Sequence, residues 1–287
     1  MSAIKSFLAV DLGATLVRAS LFDENLNPLH SAEARTRDSI EGKADPNFAR
    51  TVSLIEELLQ KSNREVVAGC IGVPEYVDPN GNLTSSEQID WKQQPKELLG
   101  ERFGFRWHVE SDVRCAAIAE ARNHADFLYV TLSSGISHCL VLDGKPLVGT
   151  NGRAIGLGTM RASDTNATVE ELASGLGLAR RYRDLSGKTL STAEIMNLYG
   201  VEADATSLIE SAVTEFALAL NHAVMIFDPA RIIIGGGFWL GSSLIRELTR
   251  SRFNELMSGN LIPEILDAQS KNGGLIGAGL IAMGQGN

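Results

Sequence analysis

The chain has 287 residues, 44% of them apolar and 21% charged, and a formal net charge of −9. This is long enough for one large domain or two ordinary ones, and too apolar for a disordered chain. The acidic balance speaks against a nucleic acid partner, which needs clustered Lys and Arg, but not against a small anion, which backbone N–H groups can bind alone.

Met1 to Val10 holds one Lys and a short apolar run. That is too short for a membrane span and lacks a signal-peptide layout, so no membrane partner and a cytoplasmic location are expected. On the same reading no N-terminal helix-turn-helix module is expected. Cys70, Cys115 and Cys139 are odd in number, lack CxxC spacing and sit in apolar context, which fits reduced thiols better than a disulfide framework.

Phe7 to Val10 reads as a buried strand ending in Asp11-Leu12-Gly13-Ala14-Thr15. Val17 to Phe22 reads as a second strand and Leu29 to Arg35 as a possible third. Phe48 to Gln60 has helical spacing, Val66 to Val73 is a buried strand stopped by Pro74, and Lys96 to Phe103 is a short helix. Trp107 to Val109 is a strand, and Asp112 starts an Ala-rich helix running to about Asn123. Phe127 to Leu132 is a strand followed by a Ser/Gly turn, Ser133 to Ser137, with Cys139 to Leu142 as its hairpin partner, joined through Asp143-Gly144. Residues 168–225 are mostly helical in pattern, Arg231 to Ile234 is a strand running into Gly235-Gly236-Gly237, and Leu275 to Met283 is an apolar helix. Two strand-led α/β units, each opening on a hairpin, imply two lobes with a cleft between them.

The turns carry the chemistry. A carboxylate directly after a buried strand, followed by Gly and Thr, can hold a hydrated Mg²⁺ beside a phosphate, with Asp11 as the ligand through water and Gly13, Ala14 and Thr15 lining the turn. The same residues also suit a plain hairpin. Ser133, Ser134 and Gly135 can cradle phosphate or simply turn the chain. Gly236 and Gly237 let a flat ligand lie on bare backbone, or make a tight strand-to-helix connection. Asp112 is a helix N-cap, a general base, or both. Gly187-Lys188-Thr189 mimics the end of a Walker A loop, but Tyr182 stands where its first Gly belongs. The five histidines show no metal-ligand spacing, and Arg180 to Arg183 reads as a solvated helix face.

Taken in order, these segments resemble the ROK family of sugar kinases, repressors and uncharacterised frames, over nearly the whole chain. Asp11 to Thr15 resembles its first phosphate motif, Asp-x-Gly-Gly-Thr. Gly72 to Pro79 resembles Gly-Val-Pro-Gly-x-Val-Asp-Pro, Trp91 falls on a family Trp, and Glu110-Ser111-Asp112 resembles Glu-Asn-Asp, whose Asp is the family's base. Thr131 to Ser137 resembles the second phosphate motif, Asp228 to Gly237 the adenosine motif, and Gly274 to Ala282 the closing helix.

The resemblance implies an α/β, two-lobed actin-like ATPase (ribonuclease H-like) fold with an interlobe cleft. It implies an N-terminal lobe of residues 1–112 completed by helix 274–287, and a C-terminal lobe of residues 113–273. It further implies a homodimer that uses ATP and Mg²⁺ to phosphorylate a carbohydrate hydroxyl, with Asp112 as base. The chain departs from the pattern on the acceptor side. Gly156 and Thr159 stand where the family has a sugar-binding Glu and a His that meets sugar and zinc. Ser111 and Arg114 replace two Asn, and the Cys-rich loop has no counterpart over Thr165 to Glu170, so no zinc site is expected. Candidate acceptor contacts are Gln88, Asp90, Ser111, Arg114 and Thr159. Arg114 is open to three fates: binding an anionic acceptor, pairing with Asp112, or pointing away. The alternative function is a sugar- or nucleotide-sensing relative that binds without transfer.

Overall fold

The computed structural model describes residues 5–36, 48–162, 166–257 and 261–285. The chain divides into two compact units. The first takes residues 1–125, 141–155 and 269–287, and the second takes 126–140 and 156–268.

In the first unit, β1 (Lys5–Leu12), β2 (Leu16–Phe22), β3 (Pro28–Arg35), β4 (Glu65–Val73) and β5 (Arg106–Ser111) form one sheet in the order β3-β2-β1-β4-β5. The pairs β1–β2 and β2–β3 are antiparallel, while β1–β4 and β4–β5 are parallel. Side chains alternate along β1. Leu8, Val10 and Leu12 join one core with Leu54, Ile55 and Leu58 of α1 (Ala49–Lys61) and Leu99 of α2 (Pro95–Phe103). Ala9 joins the core on the other face, with Cys115 and Ile118 of α3 (Asp112–Glu120) and Leu275, Ala278 and Ile281 of α10 (Gly273–Ala282). Asp11 is two residues beyond Ala9 and so belongs to that second face. Cys70, Cys115 and Cys139 are free and buried. The Cys115 thiol is pushed well up, first by its hydrogen bond with Cys70 and then by burial.

In the second unit, β6 (Phe127–Leu132), β9 (Arg231–Gly235) and β10 (Glu264–Asp267) run parallel, with most of β7 (Ile136–Leu142) beside β6; β8 (Lys145–Pro146), which pairs with the end of β7, falls in the stretch 141–155 of the first unit. The helices are α4 (Val169–Ala173), α5 (Gly175–Ser186), α6 (Thr192–Met196), α7 (Ala203–Phe227), α8 (Gly237–Gly241) and α9 (Ser243–Leu256). Thr168 with Glu171, and Ser191 with Glu194, close capping boxes that start α4 and α6. α7 is long and apolar enough to cross a membrane by length and composition, and 50% of that window is buried in the unit. Phe216 and Leu220 supply part of this packing.

Three sequence expectations change. The chain does not divide at residue 112, because α3 packs on α10 and residues 113–125 stay with the first unit. Asp143-Gly144 closes the hairpin from β7 to β8, not from β6 to β7. Both residues have positive φ, 50° and 75°, as a two-residue type I′ turn requires. The run Arg180 to Arg183 is not a solvated face throughout: Tyr182 is fully buried and donates to Glu202, while Arg181 donates to the carbonyl of Leu172 and to Ser211 Oγ.

Candidate functional site

In the first unit, the turn after β1 is closed by Gly13 N–H donating to the Leu16 carbonyl at 2.9 Å. Ala14 is half-buried there and Thr15 is exposed. Asp11 faces the start of α10, and a Cβ on Gly274 would stand 2.7 Å from its Oδ1, so only Gly allows the helix this close. Burial raises the Asp11 carboxyl from 3.8 to about 6, against the pull of Arg18, whose guanidinium lies 3.9 Å away. A mostly buried carboxylate with one distant cation is short of positive charge. That donor set fits Mg²⁺, which keeps its waters and takes one or two carboxylates along with substrate phosphates.

Asp112 is the first residue of α3 rather than its cap. Ser111 is the N-cap, with no side-chain cap bond. Asp112 Oδ1 accepts from Val113 N–H at 2.7 Å, which fixes the carboxylate at the end of β5. The neighbouring Ser111 is fully buried, and its Oγ has no hydrogen-bond partner among the described residues.

Arg114 takes none of its three expected fates. Its side chain is fully buried. Nε and Nη2 reach Glu110 Oε1 at 2.6 and 2.5 Å, Nη2 also donates to the Val77 carbonyl at 2.6 Å, and Nη1 donates to the Gly152 carbonyl at 3.2 Å. The guanidinium therefore joins three segments of the unit and drops out as an acceptor contact. Gly152 is pressed against Val77, where a Cβ would run into the Val77 carbonyl.

Gln88 is half-buried and Asp90 exposed, both on the segment that follows β4. That segment is organised by Glu75, which the sequence reading did not single out. Glu75 is 3% exposed and accepts from the N–H groups of Glu87, Gln88 and Ile89 at 3.0, 2.6 and 2.8 Å, and from Ser85 Oγ. The signal was an acidic residue inside the apolar run from Gly72 to Val77. For Arg114 it was the i,i+4 spacing from Glu110.

Of the expected nucleotide residues, Asp11 and Gly13 to Thr15 lie in the first unit, and the Ser133 turn and the Gly236-Gly237 turn meet in the second. Ser133 Oγ accepts from Gly237 N–H at 3.3 Å. Gly236 has φ 96°, and a Cβ there would strike the Leu132 carbonyl, so β6 and the start of α8 approach through bare backbone. The turn itself is held from behind. Ser133 N–H donates to the Gly135 carbonyl at 2.9 Å, and the first two N–H groups of α5 donate to the carbonyls of Ser133 and Ser134 at 2.9 and 3.3 Å. Glu170 Oε2 accepts from Ile136 N–H at 2.7 Å and lies 2.5 Å from where a Cβ on Gly135 would be. Ser137, expected in the turn, belongs to β7.

Thr159 is exposed and belongs to this second unit, unlike the other acceptor candidates. Its Oγ1 donates to the Gly156 carbonyl at 2.9 Å. The segment is held by His138, whose Nδ1 accepts from Leu157 N–H at 3.1 Å, which requires that nitrogen to be unprotonated. Among the described residues, no three His, Cys, Asp or Glu cluster as a metal site; Thr165, at the start of the expected zinc-free segment, lies outside the described residues.

Comparison with known proteins gives a consistent result. A profile described as the ROK family matches residues 7–285. The chain is 26% identical to an N-acetyl-D-glucosamine kinase of Haemophilus influenzae, covering 95% of this chain and 97% of that one. It is also 26% identical to a glucokinase of Streptomyces coelicolor, covering 96% of each. Among solved structures it is similar to a ROK family glucokinase from Streptomyces griseus in complex with glucose and AMPPNP. The TM-score is 0.80 and the identity 23%, over 96% of this chain and 99% of that one. The fold is therefore the α/β fold of the actin-like ATPases.

Proposed function

The chain belongs to the ROK family, and from that premise we propose that it transfers the γ-phosphoryl group of ATP to a hydroxyl of a neutral sugar or sugar derivative. The observation that carries this reading is the carboxylate of Asp112, held at the end of β5 by the Val113 N–H. Asp112 accepts the proton of the acceptor hydroxyl as that oxygen bonds to the γ-phosphorus. The bond from the γ-phosphorus to its bridging oxygen breaks, and ADP leaves with the electron pair. Ser111 stays a candidate acceptor contact beside the base; its Oγ is buried and has no partner among the described residues, so reaching an acceptor would require that side chain to become accessible. Gln88, Asp90 and Thr159 remain candidate acceptor contacts.

Ser133, Ser134 and Gly135 are assigned to the phosphates, and Gly236 and Gly237 to the adenosine. Asp11, with Gly13 to Thr15, would hold a hydrated Mg²⁺. When bound, the ion neutralises phosphate charge. No zinc enters the reading. Cytoplasmic location and a homodimer belong to the same proposal.

The neutrality of the acceptor follows from Arg114. The cation two residues after the base is fully buried and bonded to Glu110, Val77 and Gly152, so it offers nothing to a sugar acid or sugar phosphate.

The test is an ADP-release screen over hexoses, amino sugars, polyols and sugar acids, with Asp112→Asn as control. Saturable turnover on a neutral acceptor that is lost in the variant supports the proposal. Nucleotide binding without turnover on any acceptor favours the second reading, a sensor, which Gly156 and Thr159 motivate by standing where the family resemblance implies a Glu and a His. Turnover confined to sugar acids would sink the neutral assignment.

A further inference from the structure

We propose that Glu75 is a positioning residue that sets acceptor preference by holding residues 85–89 in one conformation. The inference rests on the reading above, in which Gln88 and Asp90 contact the acceptor. Glu75 lies two residues beyond β4, with its carboxylate buried. A buried carboxylate persists where donors satisfy it, and this one is satisfied by four from its own chain. Oε1 takes the N–H groups of Gln88 and Ile89 at 2.6 and 2.8 Å, and Oε2 takes Glu87 N–H at 3.0 Å and the Ser85 hydroxyl. Ser85 Oγ in turn accepts from Tyr76 N–H at 2.9 Å, which ties the start of the segment to the residue after Glu75.

Three consecutive amides converging on one carboxylate form a concave ring of donors of the kind that binds free anions, here filled by the chain itself. Such charge-assisted bonds are shorter and stronger than neutral ones. The ends of the segment are anchored separately. Leu83 N–H donates to Gln94 Oε1 at 2.8 Å, Thr84 Oγ1 donates to the Asn151 carbonyl at 2.7 Å, and Ile89 is 1% exposed in the core. Between these anchors, Glu75 gathers three successive N–H groups. The side chain of Gln88 therefore leaves the backbone from a fixed point, and Asp90 follows from the fixed Ile89. A preformed contact surface spares the acceptor the entropy of ordering it and discriminates between epimers by position.

The experiment compares wild type with Glu75→Gln, which keeps the shape but places an NH₂ against amide donors. Amide hydrogen exchange at 87–89 and steady-state kinetics are both read. Protection at 87–89 falls at least about tenfold while α3 is unchanged, and the acceptor KM rises about 10- to 100-fold while the ATP KM moves less than about twofold. The preference between the best acceptor and its epimer collapses, and Glu75→Asp restores part of it. Unchanged protection at 87–89, or a loosened segment with unchanged acceptor KM and preference, overturns the proposal. If Glu75→Gln does not fold, Ser85→Ala is measured instead, since it removes one link of the same network. A smaller shift in the same direction supports the proposal, and no shift overturns it. Should wild type phosphorylate no acceptor, the functional reading fails, and with it the link to acceptor preference; exchange at 87–89 still decides whether Glu75 holds the segment.

Discussion

Gly274 approaches Asp11 so closely that a Cβ on it would stand 2.7 Å from the carboxylate Oδ1. Helix α10 is therefore fitted to one particular side chain of β1. Gly274→Ala forces either the helix or the carboxylate to shift, and overpacking of this kind costs about 1–3 kcal/mol. Urea unfolding should show that loss, and the Mg²⁺ requirement for turnover should rise with it. A variant as stable as wild type would mean that α10 moves away at no cost.

Asp11 also gives a pH signature. Its folded value of about 6 lies above the ordinary 3.8, through burial opposed by Arg18. The folded chain thus holds the proton more tightly than the unfolded chain. The resulting stabilisation is complete below 3.8 and is lost as pH rises through about 6. Without Mg²⁺, Asp11→Asn should be the more stable protein at neutral pH, by up to roughly 3 kcal/mol, with the advantage fading in acid. Thermal unfolding across this range is the measurement, and a difference that ignores pH would refute the assignment.

Asp112→Asn retains an oxygen for the Val113 N–H, so the start of α3 should survive. The base does not. We expect kcat to fall by about 10²- to 10⁴-fold with the unfolding temperature nearly unchanged. Residual turnover close to wild type would remove Asp112 from the chemistry.

Arg114→Met strands Glu110 and two backbone carbonyls. Breaking a buried pair from one side costs about 3–5 kcal/mol, with the lower end expected because Glu110 is 18% exposed. Adding Glu110→Gln should recover part of the loss in a double-mutant cycle. An additive double variant would mean that the two residues act independently.

Ser133→Ala removes the acceptor for the Gly237 N–H. A hydrogen bond of this kind contributes about 0.5–1.5 kcal/mol, so the ATP KM should rise roughly 2- to 12-fold while the acceptor KM stays constant. A change confined to the acceptor would contradict the assignment of this turn to nucleotide.

Much of the fold is legible in the chain because its signals are local. The buried run before Asp11, the Pro after Val73 and the triple Gly after Ile234 each mark a boundary by the conformations they allow. Arg114 shows where local reading stops. Its spacing from Glu110 was visible, but whether it would pair, bind or point away depended on Val77 and Gly152, which are 37 and 38 residues distant. Glu75 was hidden for a related reason. Three of its four partners are backbone amides, which carry no residue identity and leave no trace in a motif. The division of the chain was misjudged at residue 112 because α3 is assigned by what covers it, and α10 lies far along the sequence.

That last arrangement imposes an order in time. A ribosome delivers the segments of the second unit complete by residue 268, whereas the first unit lacks α10 until after residue 273. One face of β1, with Ala9 and Asp11, waits uncovered through the synthesis of nearly the whole chain. Closing it brings together residues more than 260 positions apart, the slowest kind of contact to form. The strand made first is finished last, and a chain halted before α10 carries a whole second unit beside an open first one.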